Sequence, residues 1–281
     1  MNKEQLFNQI KFKKSFLCIG LDSDSGKIPS HLQFADDPVF EFNKQIIEAT
    51  HDLAIAYKPN LAFYEANGIK GWISLEKTAQ FIKSNYPELF LIADAKRGDI
   101  GNTSDMYARA FFQNMHFDAV TLSPYMGFDT VQPFLHYKDR WAIVLALTSN
   151  SSAVDFQTNC KNQSNDMLWQ QVLYTSKDWA STDQLMYVVG ATKAEWLRKV
   201  REIVPEHFLL VPGIGAQGGS LKEVALNGMN KQCGLLVNSS RGIIFASNGL
   251  DFASKAREEA FLVQTEMAGY LKDFGLLTNP T

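Results

Sequence analysis

Leu91-Ile92-Ala93-Asp94-Ala95-Lys96-Arg97-Gly98-Asp99-Ile100 is the stretch on which the fold turns. It opens as an apolar strand, Phe90 to Ala93, and ends in charge. Successive side chains of a strand point to opposite faces, so Asp94 and Lys96 share one. An unbroken apolar run suits a parallel strand covered on both sides. Asp99 falls just beyond the strand, where the chain turns. An acid and a base sharing one face of such a strand are costly unless paired or functional. The plain alternative is a surface strand carrying a salt bridge.

Similar apolar runs recur on both sides of it. Strands are expected over residues 16–21, 54–57, 118–122, 141–147, 186–189, 208–211 and 234–237. Helical periodicity falls between them, over 38–51, 63–72, 75–86, 102–114, 128–136, 167–179, 194–204 and 252–274. Asn102, Thr103 or Ser104 is placed to cap the helix after the central strand. A short amphipathic helix over 5–12 precedes the first strand, and the polar segment 151–165 reads as an irregular, mobile loop. Strands alternating with helices pair in parallel through right-handed crossovers. Eight such units in 281 residues predict a (β/α)8 TIM barrel, an α/β fold in a single domain spanning 1–281. An open doubly wound sheet is the competing topology.

Composition narrows the function classes. The formal net charge is −3, with 46% hydrophobic and 20% charged residues, which is ordinary for a globular chain. No basic excess favours nucleic acid as a partner, and no apolar run is long enough to span a bilayer. The N-terminus lacks the apolar core of a signal peptide, so a cytoplasmic location is expected. Cys18, Cys160 and Cys233 are odd in number and far apart, which argues against a disulfide framework or a zinc ribbon. Cys18 reads as a buried small hydrophobe, and His116 and His136 as residues of helix ends or loops. No histidine has metal-ligand spacing, so no metal is expected.

In a barrel of this kind the active site lies at the C-terminal ends of the strands. The polar clusters collect there. Asp22 follows the first strand and Lys58-Pro59-Asn60 the second; Asp94, Lys96 and Asp99 end the third. Ser123 follows the fourth strand and Thr148-Ser149 the fifth. Pro212-Gly213-Ile214-Gly215-Ala216-Gln217-Gly218-Gly219 follows the seventh, and Ser240-Arg241 the eighth. The last two loops are the usual phosphate site of the architecture. Glycines let backbone N–H groups approach an anion, Arg241 offers a planar fork of donors, and Gln217 a neutral one. The alternative there is a glycine turn beside a solvated arginine. Lysine among carboxylates suits a Schiff base only if it loses its proton, and flanking acids favour the ammonium instead. A protonated lysine is a proton donor and a cation for a developing carbanion.

Asp94-Ala95-Lys96-Arg97-Gly98-Asp99-Ile100 resembles the Asp-x-Lys-x-x-Asp-Ile signature of the orotidine 5′-phosphate decarboxylase family. Lys58-Pro59-Asn60 with Phe63-Tyr64-Glu65, Ser123-Pro124-Tyr125-Met126-Gly127 and Thr148-Ser149-Asn150 resemble the longer bacterial branch of that family. The run from Pro212 to Gln217 is similar to its phosphate-gripper loop, and Arg241 to its last phosphate ligand. Ser151-Ser152 departs from the Pro-Gly that the resemblance implies after Thr-Ser-Asn. The resemblance covers nearly the whole chain. It implies cofactor-free decarboxylation of orotidine 5′-monophosphate to UMP, the last step of de novo pyrimidine synthesis. Lys96 would protonate C6, Asp94 would crowd the departing carboxylate, and Lys58 and Asp99 would complete the charge array. Asp22 and Lys58 would contact the ribose, and Ser123 with Thr148 or Ser149 the pyrimidine. Asn60, Pro212 and Ser240 sit within the matching motifs and are further expected substrate contacts. Asp99 and Thr103 would reach into a neighbouring subunit's site, making a homodimer. Asp-x-Lys-x-x-Asp alone is shared with Mg²⁺-dependent phosphosugar enzymes of a wider suprafamily. That class, and a non-catalytic nucleotide-binding barrel, are the two competing readings.

Overall fold

The computed structural model describes residues 1–215 and 218–277. After helix α1 (Lys3–Lys13) the chain runs β1 (Leu17–Leu21), α2 (Pro38–Thr50), β2 (Ala56–Pro59), α3 (Leu61–Glu65), α4 (Gly68–Asn85) and β3 (Phe90–Arg97). It continues α5 (Gly101–Arg109), β4 (Ala119–Leu122), α6 (Phe128–Leu135), β5 (Trp141–Leu147), α7 (Leu168–Ser176) and β6 (Leu185–Val189). It ends α8 (Ala194–Ile203), β7 (Phe208–Pro212), α9 (Leu221–Gly228), β8 (Leu235–Ser239), α10 (Arg241–Ile244) and α11 (Phe252–Asp273). The eight strands close in sequence order into a barrel. All pairings are parallel, and β1 meets β8 at Leu17 and Val237. The open-sheet alternative is thereby ruled out.

The strands read as continuous apolar runs because both faces are covered, one by helices and the other by the barrel interior. Phe90, Trp141 and Phe208 are the first residues of β3, β5 and β7. Their rings meet edge to face, with centroids 6.1 Å and 6.4 Å apart. Side chains from alternate strands thus fill one layer of the interior and plug the N-terminal end.

The structure departs from the sequence reading in several places. The helical stretch after β2 breaks at Ala66 and Asn67, before Gly68 at φ 60°, and not between Trp72 and Leu75. Gly71 then lets α4 approach the Tyr64 carbonyl, where a Cβ would sit 1.8 Å from the oxygen. Helix α5 starts at Gly101 with extended Ile100 before it and no side-chain cap. Ser104, one of three expected caps, instead sits between the carbonyls of Asp99 (2.6 Å) and Thr130 (3.0 Å). Helix α9, capped by Ser220, was not foreseen. The segment 151–165 carries a 3-10 turn at Ser151–Val154 followed by further turns.

The base of the barrel is sealed by α1. The Met1 carbonyl accepts from Trp141 Nε1 (2.8 Å), and the Lys3 N–H donates to Asp183 (3.0 Å). Beside them His207 is buried against Tyr187, and neither ring nitrogen has a hydrogen-bond partner among the described residues. Burial pushes the imidazole down to about 4, with Lys3 and Arg201 adding to the effect. An unfolded histidine takes its proton near pH 6.5, so between there and pH 4 the unfolded chain binds more protons. Stability should therefore fall as pH drops through that window. His207→Asn, which cannot titrate, should lose this part of the pH dependence whatever its absolute stability. Urea midpoints at pH 7.5 and pH 5 check this, and equal slopes for the two proteins would contradict it.

Candidate active site

The C-terminal ends of the strands enclose a cavity of about 400 Å³. At one end stands a single carboxylate between two ammoniums. Asp94 Oδ2 accepts from Lys58 Nζ at 2.7 Å, and Asp94 Oδ1 from Lys96 Nζ at 2.5 Å. Lys58 lies inside β2, its side chain 5% exposed, rather than in the loop beyond it. Lys96 is half exposed and faces the cavity. Asp22, just after β1, also lines it, and its Oδ1 is buried without a partner among the described residues. Burial works against a charge on Lys58, but Asp94 and Asp22 outweigh it and hold the ammonium above its ordinary pKa. Burial works equally against the Asp94 carboxylate, and Lys58 with Lys96 hold it well below the usual carboxylate range. Across neutral pH Lys58 and Asp94 thus stay charged.

The array depends on an irregularity in β3. Its pairing with β4 shifts register between Ala93 and Arg97, and Lys96 takes φ 50°. A bulge of this kind re-aims side chains at the rim of a barrel. Thr121 of β4 fills the gap. Its Oγ1 accepts from the Lys96 backbone N–H (2.9 Å) and donates to Asp94 Oδ1 (3.1 Å). Arg97 points away, pairing with Glu65 and lying over Tyr107 and Phe111.

The other end is built for an anion. Pro212, Gly213 and Ile214 line it, with Gly213 at φ 101° and Gly215 at φ 66°. Arg241, exposed at the start of α10, borders the cavity, and its guanidinium has no partner among the described residues. Ser240 reaches the wall because β1 carries Gly20, where a Cβ would meet Ser240 Oγ at 1.8 Å. Leu145, Val188 and Leu210 give the cavity an apolar face, and Thr148, Ser149 and Asn150 its polar rim.

The structure thus brings together Asp22, Lys58, Asn60, Asp94, Lys96, Thr148, Ser149, Pro212, Ser240 and Arg241. Asp99, Thr103 and Ser123 do not line the cavity of their own chain. Ser123 packs toward Gly98, and Asp99 Oδ1 accepts from the Ile100 N–H at 2.8 Å. Gln217 lies outside the described residues. The sequence reading missed Thr121 and Asn238 of the lining, gave Asn150 no role beyond its motif, and also missed Gln157, whose side chain bonds both the N–H and the hydroxyl of Thr148 at 2.8 Å. Gln157 sits in the polar segment 151–165, where sequence offers no periodicity to pick it out. Among the described residues no group of three or more His, Cys, Asp or Glu side chains is placed to hold a metal ion.

The sequence profile of the orotidine 5′-phosphate decarboxylase / HUMPS family matches residues 15–256. The chain belongs to that family. An orotidine 5′-phosphate decarboxylase of Flavobacterium johnsoniae is 63% identical, covering 95% of this chain and 97% of its own. That of Parabacteroides distasonis is 58% identical over 99% of both chains. The solved OMP decarboxylase structure of Leishmania donovani is 35% identical, with a TM-score of 0.77 over 94% of this chain and 99% of that one. The barrel is therefore that of the decarboxylase family, as the resemblance implied.

The charge array also makes a stability prediction. Asp94→Asn leaves Lys58 buried without its direct counter-ion. Breaking such a buried pair costs about 3–5 kcal/mol. Urea denaturation at pH 7 should show a loss of that size, and an unchanged midpoint would contradict the account of the pair.

Proposed function

We propose that the chain decarboxylates orotidine 5′-monophosphate to UMP and CO2, the last step of de novo pyrimidine synthesis, with no metal or organic cofactor. One observation carries this reading: the Lys58–Asp94–Lys96 array stands at one end of a cavity whose other end offers Arg241 and a glycine turn. The phosphate sits against Arg241 and the turn after β7, with Gln217 as a further donor and Pro212 and Ser240 beside it. The ribose hydroxyls meet Asp22, whose free carboxylate oxygen is an acceptor, and Lys58, with Asn60 adjacent. The pyrimidine lies against the apolar face and is read by Thr148 and Ser149, while Ser123 lies off the cavity.

The chemistry follows from charge. The substrate carboxylate is brought against Asp94, and two anions at close range repel. The C6–carboxylate bond breaks, CO2 departs, and the electron pair stays on C6. The Lys96 ammonium stabilises that pair and then gives it a proton. Phosphate binding far from C6 is used to hold the reacting end in this arrangement. Lys96→Ala should abolish decarboxylation, followed as loss of orotidine 5′-monophosphate absorbance, while circular dichroism stays parental. The parent protein should keep its activity after dialysis against EDTA. Near-parental turnover by the folded variant would sink the assignment of Lys96.

The working enzyme is a homodimer in the cytoplasm. Asp99 and Thr103 project from the loop and helix that follow β3 and serve the partner's site. Their position off their own chain's cavity supports this reading, as does exposed apolar surface at Ile100 and Met106 nearby. Lys96→Ala and Asp99→Ala homodimers should then both be nearly inactive. Co-expression makes about half the dimers mixed, each with one intact site in two, restoring about a quarter of parental activity. Persistent inactivity, with mixed dimers confirmed by mass spectrometry, would place Asp99 in its own chain's site.

A further inference from the structure

We propose that Thr121 is a positioning residue for the reaction, its single hydroxyl fixing both the Asp94 carboxylate and the backbone of Lys96. The inference rests on Lys96 being the proton donor.

Thr121 is fully buried on β4 and lines the cavity between Asp94 and the apolar face. The direction of its two hydrogen bonds is forced. A backbone N–H can only donate, so Oγ1 accepts from Lys96. An ionised carboxylate can only accept, so the hydroxyl proton goes to Asp94 Oδ1. That oxygen also takes the Lys96 ammonium. Thr121, the Lys96 main chain, the Lys96 ammonium and Asp94 therefore form one closed ring of hydrogen bonds.

The ring has a mechanical purpose. Lys96 has φ 50°, a left-handed conformation that an L side chain rarely adopts without support. It lies where the β3–β4 ladder changes register, so strand pairing does not set its backbone. Its side chain is half exposed, so packing does not set it either. The Thr121 hydroxyl takes the place of the missing ladder acceptor. As a β-branched residue in a packed strand, Thr121 has little rotamer freedom, so the acceptor is itself fixed. Without it, the left-handed Lys96 backbone loses the hydrogen bond that holds it, and the ammonium loses its fixed place against Asp94. Asp94 keeps Lys58, but the proton donor is displaced. Arg241 and the glycine turn at the far end of the cavity are untouched, so substrate affinity should not follow the loss of turnover.

The test compares Thr121→Val, which keeps the shape and removes the hydroxyl, with Thr121→Ser, which keeps the hydroxyl. Thr121→Ala serves if the valine variant does not fold. Thr121→Val should lower kcat by about 10²-fold, the scale of a misplaced catalytic group, with KM changed less than about threefold. Thr121→Ser should recover kcat to within about fivefold. Independently of activity, amide exchange of Lys96 is followed by NMR in protein labelled with ¹⁵N-lysine, its signal assigned by its loss in Lys96→Gln. Protection should be present in the parent and Thr121→Ser, and exchange at least about tenfold faster in Thr121→Val, since an amide without its acceptor is open to water. Parental kcat in Thr121→Val, a loss that serine does not rescue, or unchanged Lys96 exchange would each overturn the proposal. A parent protein that does not decarboxylate the substrate but still shows the exchange difference would overturn the proposed function and leave the positioning geometry standing.

Discussion

One carboxylate shared by two lysines is the constraint on which the rest of the site depends. Asp94 lies between Lys58 and Lys96, two cations that would repel each other without it. Removing such charges from water is costly, and only good geometry with further hydrogen bonds offsets the cost. The fold supplies both. Neighbouring parallel strands bring Lys58 and Asp94 side by side, with an isolated bridge from Asn60 to Asp94 continuing the pairing. The bulge in β3 turns Lys96 toward the same carboxylate, and Thr121 completes its hydrogen bonding. Asp22 adds a second negative charge close enough to favour the Lys58 ammonium.

This arrangement is set before any substrate arrives, which is what electrostatic catalysis requires. The cavity then divides the work between its ends. On the proposed reading, Arg241 and the turn at Gly213 would hold the phosphate, and the apolar face of Leu145, Val188 and Leu210 would take the pyrimidine. A barrel suits this division because its strand-end loops vary independently while the strands stay rigid. The opposite, N-terminal end is plugged by Phe90, Trp141 and Phe208 and closed by α1.

The sequence showed the barrel because eight apolar runs alternate with helical periodicity, and period is a local property. Strand alternation put Asp94 and Lys96 on one face; in the structure they do meet, but through the bulge at Lys96, which alternation does not reveal. The closed topology and the family agree with the structure and with the similar proteins. Lys58 was visible as a site residue but not as a buried strand residue, since its counter-ion lies 36 positions away on another strand. Thr121 was hidden inside an apolar strand, and only the register shift beside it gives its hydroxyl a task. The same nonlocality hid Gln157, which reaches back across nine positions to Thr148. Helix α9 follows a glycine-rich loop and is only eight residues long, too short for a clear apolar stripe.

The central claim is that a lysine ammonium protonates a carbanion formed as CO2 leaves. The most direct measurement is to run the reaction in D2O and examine the product by proton NMR and mass spectrometry. The account predicts one CO2 released for each orotidine 5′-monophosphate consumed, and UMP carrying a single deuterium at C6. Intact substrate, or UMP formed with hydrogen at C6, would contradict it.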